Sequence, residues 1–492
     1  MTRGFLLALD QGTTGSRALI FDRSAKLVSS AYQEFPQYYP QPGWVEHDPE
    51  EIWRSIVKVI NKSLLSAHLK FSDIQIIGIT NQRETVVVWD KKTGKPFHRA
   101  IVWQDRRTSA YCDALKKRGL EKKIQAKTGL VLDPYFSATK IHWLLENVPG
   151  LRAKAAQGRA LLGTMDTWLL WKLTNGGVHA TDFTNACRTL LFNIRTRKWD
   201  TELLKIFKIP FQMLPEVKNS GADFGVTAVK NLPGRAKIFS MIGDQQAALY
   251  GQSCYKAGES KNTYGTGCFL LMNLGKKYQK PPAGLLTTLA CDRDGKSVYA
   301  FEGSVFVAGA AIQWLRDGLK FFKTAGETEK MIKNIHDTGG VVFIPAFAGL
   351  GAPYWRPHAR GMITGLTRGT RQAHIIRAAL EAIAQQTADI LEVMQRGSGH
   401  HLKELKVDGG ATQNKFLMQF QADLLRIPVM VSEVRESTAW GAAKLAAHAS
   451  SFWNTRRKEK KYKKSSPKLP AAESLRLRKT WKKEMTRLLT DF

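Results

Sequence analysis

Apolar positions along this chain switch period again and again. Residues 5–9 and 18–21 are short apolar runs on either side of a glycine-threonine turn, and they read as paired strands. Residues 74–80 and 86–89, rich in β-branched side chains, read as further strands. The period then lengthens. Ile52, Ile56, Val59 and Ile60 fall on one face of a helix that opens at Pro49, with Asp48 placed to cap it. Ile375, Ala379, Leu380, Ile383, Ile390, Leu391 and Met394 carry the same period through 374–394, and residues 416–425 and 438–448 predict two more helices. The fold class predicted by strands interleaved with helices is α/β.

Two strand ends break in the same way. The first is Leu9-Asp10-Gln11-Gly12-Thr13-Thr14 and the second Asn262-Thr263-Tyr264-Gly265-Thr266-Gly267-Cys268, with Gly12 and Gly265 253 residues apart, about half the chain. Small residues on such turns let backbone N–H groups approach an anion closely, and two facing turns suit a nucleotide's phosphates held between related lobes. Asp10, at the end of its strand, is chemically able to hold a hydrated Mg²⁺; a tight hairpin with a capping Asp is the plainer alternative. Asp244 follows the apolar run 238–242 and Gly243, a position for a general base or a helix N-cap. Val407-Asp408-Gly409-Gly410 repeats the strand-Asp-Gly pattern and leads into a helix whose opening suits a nucleotide. Arg83 and Glu84 sit between two strands and offer donor and acceptor side by side, as a polyol requires, or form a weak surface ion pair. Trp103 and Tyr135 supply flat apolar walls. No G-x-x-x-x-G-K-[ST] phosphate loop and no protein-kinase H-R-D motif occurs.

Composition narrows the class. The 492 residues are 43% hydrophobic and 24% charged, enough for more than one core, and no apolar run approaches the roughly 20 residues a bilayer span needs. Nothing at the N-terminus reads as a signal peptide, so a cytoplasmic protein is expected. The five cysteines, Cys112, Cys187, Cys254, Cys268 and Cys291, are widely spaced and odd in number, which argues for free thiols over zinc or a disulfide framework. Net charge is +32. Part of it lies in the run 456–464, which reads as a solvated segment with at most weak contact to anionic surfaces; no specific nucleic-acid partner is expected. The domain reading is a lobe of residues 1–252, a lobe of 253–453, and an appended basic tail, 454–492, that is partly helical.

These motifs together resemble the glycerol-phosphorylating members of the FGGY carbohydrate kinase family. The resemblance runs from about residue 4 to 448. It includes the two turns, Pro42-Gly43-Trp44-Val45-Glu46-His47-Asp48-Pro49, Asn81-Gln82-Arg83-Glu84-Thr85, Asp133-Pro134-Tyr135-Phe136-Ser137 with Lys140 and Trp143, Gly243-Asp244-Gln245-Gln246, Gly351-Ala352-Pro353-Tyr354-Trp355 and Asp408-Gly409-Gly410-Ala411. It implies two ribonuclease-H-like lobes, the actin-like ATPase fold, around a nucleotide cleft. It implies transfer of a phosphoryl group from ATP, with Mg²⁺, to glycerol, giving sn-glycerol 3-phosphate for glycerol catabolism, in a chain that forms dimers or tetramers.

The resemblance assigns roles position by position. Arg83, Glu84, Tyr135, Asp244 and Gln245 would hydrogen-bond glycerol, with Trp103 and Phe269 against its carbons. Thr13, Thr14, Ser16 and Arg17 would approach the phosphates, Asp10 the metal, and Thr266, Gly309, Gln313, Gly410 and Asn414 would complete the nucleotide site. Asp244 becomes the general base. The chain departs from the family at Gly15, where a small hydroxyl residue is usual, at Arg356, where Asp is usual, and at 231–237, which lacks the glycine-rich loop of members inhibited by fructose 1,6-bisphosphate. A related polyol or pentulose kinase, and a degenerate kinase body that only binds anions, are the competing readings.

Overall fold

A computed structural model describes residues 4–356, 358–434, 436–453 and 462–490. The first lobe is built on β1 (Phe5–Gln11), β2 (Gly15–Phe21), β3 (Leu27–Glu34), β4 (Ile74–Asn81) and β5 (Lys237–Gly243), in the order β5-β4-β1-β2-β3. β1 pairs antiparallel with β2 and parallel with β4. Helix α1 (Pro49–Ser66) starts where the sequence predicts, its Asp48 carboxylate accepting the Glu50 and Glu51 N–H groups at 2.8 and 3.2 Å. Part of the segment 82–236 between β4 and β5 folds around a separate core that includes Phe136, Ile141 and Leu190 with Tyr135 against it, while Trp89, Trp168 and Phe224 join the core of the first sheet; Trp103 lies in the same segment.

After helix α2 (Asp244–Gly251) the second lobe repeats the plan. Its strands are β6 (Ser260–Tyr264), β7 (Cys268–Gly275), β8 (Leu286–Cys291), β9 (Ser297–Val305), β10 (Leu405–Asp408), β11 (Val429–Ser432) and β12 (Tyr462–Ser465), ordered β8-β9-β7-β6-β10-β11-β12. β6 stands where β1 stands: antiparallel to the strand after it, parallel to a strand reached by a long connection. The two Gly-Thr turns therefore occupy equivalent strand ends. Helix α3 (Gln372–Ser398) packs under this sheet, two residues longer at its start and four at its end than the predicted 374–394.

The apolar run in β1 is continuous because both faces of its sheet are buried. Leu7 and Leu9 face Ile52 and Ile56 of α1. Leu6 and Ala8 face Ala439, Trp440 and Ala443 of helix α4 (Ser437–Ala449). Chain order and packing thus part company: α4 belongs to the 253–453 unit by sequence and to the first lobe by contact. The approach of α4 to α2 depends on Gly441, where an added Cβ would lie 1.8 Å from the Ala247 carbonyl oxygen. Alanine in an exposed helix would stabilise by up to about 1 kcal/mol. Here Gly441→Ala forces two backbones apart, an overpacking cost of about 1–3 kcal/mol. A lower melting temperature is expected; an unchanged or raised one would show the helices free to separate.

One expectation is corrected. Residues 462–490 are not an appendage. β12 adds antiparallel to β11 and extends the second sheet. Helix α5 (Ala471–Thr490) buries Trp481, Met485 and Leu488 against Ile344, Leu350 and Ala382. The basic run 456–464 precedes this helix, and the positive charge of the helix itself does not exclude packing, because its exposed charges and its apolar stripe lie on different faces. Residues 454–461, which hold the first part of that run, lie outside the described residues. All five cysteines are buried and unpaired, and no described helix is long and apolar enough to cross a membrane.

Candidate functional site

The functional side chains gather where strand ends of both sheets meet. In the first turn Gly12 N–H donates to the Gly15 carbonyl at 2.9 Å; in the second Gly265 N–H donates to that of Gly267 at 2.8 Å. Thr13 holds the rim in place, its hydroxyl accepting from Trp103 Nε1 at 3.0 Å, and Thr14 is exposed. Burial pushes the Asp10 carboxyl up to about 6, with Arg17 opposing and Asp244 adding repulsion. Asp10 offers a hard oxygen ligand, and a dication beside it would offset the burial that disfavours its ionised form.

Two residues expected to approach the phosphates have protein partners. Alternation along β2 turns the Ser16 side chain into the α1 face, where its hydroxyl is buried 2.7 Å from Ser55 Oγ. Arg17 is ion-paired with Glu436, just before α4, and lies over the Tyr32 ring at 5.1 Å. That ring also explains Gly15: a Cβ there would meet the Tyr32 hydroxyl at 2.5 Å. Arg356 has an exposed side chain, and its backbone closes a turn with Leu350.

On the second lobe, Thr266, Gly309, Gln313, Gly410 and Asn414 line one cavity of about 430 Å³. A volume of that order suits a nucleotide-sized ligand. The helix Gly309–Asp317 begins against the second turn, Gly309 N–H donating to the Gly265 carbonyl at 3.1 Å. Asn414 caps the helix Lys415–Leu425 through Leu417 N–H at 2.8 Å and donates to Thr328 at 3.1 Å.

Between turn and cavity lies a buried charge network. Arg83 Nε is 3.0 Å from Asp244 Oδ1, and Arg83 Nη1 donates to Glu302 Oε2 at 2.8 Å. Arg188 donates to Glu84 Oε1 at 2.6 Å and to Glu302 Oε1 at 2.9 Å. Arg83 and Glu302 are each 2% exposed and Arg188 is fully buried. Burial opposes ionisation of Glu302, but Arg188 and Arg83 together overcome it and hold the carboxyl at about 2. Glu84 is pushed upward by burial despite its two arginines, and its backbone adopts a left-handed φ of 63°. Three cations (Arg83, Arg188, Lys261) face three carboxylates (Glu84, Asp244, Glu302), a balance that such burial requires. Asp244 is the member that looks outward: its side chain keeps 31% exposure against 2% for Arg83.

The aromatic walls complete the set. Trp103 meets Tyr135 edge-on at 5.5 Å, and Tyr135 lies 5.8 Å from the Arg188 guanidinium. Phe269, on β7, is half-buried and its carbonyl accepts from Lys261 at 3.2 Å. Gln245, read as a polyol ligand, has its amide oxygen taken by Lys261 Nζ at 2.6 Å while Nε2 donates to Asp244 Oδ2 at 3.2 Å. Arg188, Lys261 and Glu302 went unread in the sequence. Glu302 left a signal: it is a lone acid within the apolar strand β9. Arg188 and Lys261 left none.

Residues 5–251 match the N-terminal domain of the FGGY family of carbohydrate kinases, and residues 260–450 its C-terminal domain. The chain is 55% identical over 487 residues to a glycerol kinase of Petrotoga mobilis, covering 98% of each. It is 54% identical over 489 residues to a glycerol kinase of Caldanaerobacter subterraneus subsp. tengcongensis, covering 99% of this chain and 98% of that one. Its structure is similar to that of Plasmodium falciparum glycerol kinase with ADP, with a TM-score of 0.93, 37% identity, and 99% and 98% of the two chains covered. With two lobes on one plan, Gly-Thr turns at equivalent strand ends and both domains matched along its length, the chain belongs to the FGGY family of carbohydrate kinases.

Proposed function

We propose that this chain transfers the terminal phosphoryl group of ATP to glycerol, giving sn-glycerol 3-phosphate. The observation that carries the reading is Asp244: a carboxylate 31% exposed, paired with a buried arginine and linked through Gln245 to Lys261, on the strand whose end lines the nucleotide cavity. The relatives named glycerol kinase support the same substrate. The unpaired cysteines fit a reducing cytoplasm.

A primary hydroxyl must lose its proton as its oxygen attacks phosphorus. Asp244 accepts that proton. Arg83 and Glu84 orient the hydroxyls as donor and acceptor, with Tyr135 beside them, while Trp103 and Phe269 cover the carbon side. N–H groups of the two turns, with Thr13, Thr14 and Thr266, face the phosphates, and Gly309, Gln313, Gly410 and Asn414 line the rest of the nucleotide cavity. Asp10, with phosphate oxygens and water, fits Mg²⁺, which when bound neutralises charge on the transferred group. Closure of the lobes excludes water that would otherwise hydrolyse ATP.

An ADP-release assay with glycerol, dihydroxyacetone, xylulose and gluconate tests the proposal. Glycerol is expected to give the highest kcat/KM, and preference for xylulose or gluconate would replace the substrate. In the same assay Arg83→Ala is expected to lower kcat/KM for glycerol by about 10–100-fold, the equivalent of one lost charged hydrogen bond, with little change in KM for ATP. Equal losses for both substrates would remove Arg83 from the polyol site.

A further inference from the structure

We infer that Lys261 is a positioning residue for phosphoryl transfer: it locks the Gln245 amide, and through that amide the carboxylate of Asp244. The inference rests on Asp244 as general base and names what aims that base.

The Lys261 ammonium has three protons and three acceptors around it: Gln245 Oε1 at 2.6 Å, Thr263 Oγ1 at 2.9 Å and the Phe269 carbonyl at 3.2 Å. Its side chain is fully buried. No N–H is left for a phosphate or a polyol, so Lys261 does not work by touching substrate. It decides instead which end of the Gln245 amide points where. With the amide oxygen drawn to the ammonium, Nε2 faces Asp244 Oδ2 at 3.2 Å, while the Gln245 backbone N–H holds Oδ1 at 2.7 Å. Without the ammonium the amide can turn over and present its oxygen to the carboxylate, which then swings off line. The connection also crosses the cleft: Lys261 lies on β6 of the second lobe, Gln245 on α2 directly after β5 of the first. The base is thereby registered against the lobe that holds the nucleotide.

The lock is sensitive to pH. Burial brings the Lys261 ammonium down from 10.5 to about 8, opposed by Asp408 on β10, Asp244 on α2 and Glu302 on β9, while Arg83, beyond β4, adds to the lowering. A lowered amine is protonated below about pH 8 and loses its proton as pH rises through that value, so kcat falls on the alkaline side.

The test measures kcat and KM for glycerol and ATP from pH 6 to 10 on the full-length protein, Lys261→Met, Gln245→Met and the double variant. Each single variant is expected to lower kcat at pH 7 by about 10–100-fold, the cost of a misplaced reacting group, with KM for ATP unchanged and the alkaline fall near pH 8 gone. The double variant is expected to be no worse than either single one, because both break the same lock. Native kcat in Lys261→Met, or an intact alkaline limb in either variant, overturns the inference. So do additive losses. If Lys261→Met does not fold, Gln245→Met decides by the same readings. Asp244→Asn separates the two levels: an inactive Asp244→Asn beside a fully active Lys261→Met removes only the lock, whereas an active Asp244→Asn removes the base reading itself.

Discussion

Asp244→Asn is expected to lower kcat by about 10²–10⁴-fold at saturating glycerol and ATP, the usual span for a lost general base. The substitution keeps the side chain's size and its acceptor for the Gln245 N–H, which lies at 2.7 Å. What it removes is the capacity to take a proton and the charge facing Arg83 at 3.0 Å. Folding is expected to survive, because Arg83 keeps its contact to Glu302 at 2.8 Å and Asp244 is the exposed edge of the network. The initial rate of ADP release reads the effect directly. A rate near that of the native enzyme would mean that the alcohol's proton leaves by another route, and Asp244 would then be a ligand only.

Deleting residues 462–492 is expected to abolish recovery of folded protein, the reverse of what a solvated tail would do. Three losses combine. Trp481, Met485 and Leu488 leave the surface of Ile344, Leu350 and Ala382, and truncating a buried Trp alone costs about 3–5 kcal/mol. Arg478 disappears from Asp389 Oδ1 at 2.6 Å and Glu392 Oε1 at 3.0 Å, stranding a buried carboxylate at about 3–5 kcal/mol. Trp481 Nε1, which donates to Asp389 Oδ2 at 2.8 Å, goes with it. β11 also loses its outer partner, keeps only β10, and becomes an open sheet edge. These costs approach the whole stability of a typical domain. Trp481→Ala is the gentler form, expected to lower the melting temperature without touching the cleft. A truncated protein with native melting temperature and activity would restore the segment to the status of an appendage.

Much of the fold is legible because it follows from period alone. The strands of the first hairpin, the Asp48-capped helix, the long helix through Ile383 and the α4 pattern are local facts: each depends on residues within a few turns of one another. The Gly-Thr turns are legible for the same reason, as backbone demands written in small residues. The C-terminal segment misleads because net charge is a bulk property, whereas the Trp481, Met485, Leu488 spacing that buries one face is a pattern within it.

The site divides in the same way. The residues that bear its chemistry, Asp10, Arg83, Glu84 and Asp244, stand at or just beyond strand ends and can be named from the chain. The partners that neutralise and aim these groups come from elsewhere: Glu302 lies 219 residues from Arg83, and Arg188 lies 104 from Glu84. Their pairing exists only after two sheets have closed on each other, since a buried charge chooses its counter-ion by distance in space and its sequence neighbours carry no record of the choice. By itself the sequence determined the two matched lobes and the kind of chemistry at their meeting point. The tertiary structure alone decided which charges balance, where Ser16 and Arg17 turn, and that the last helix is part of the core.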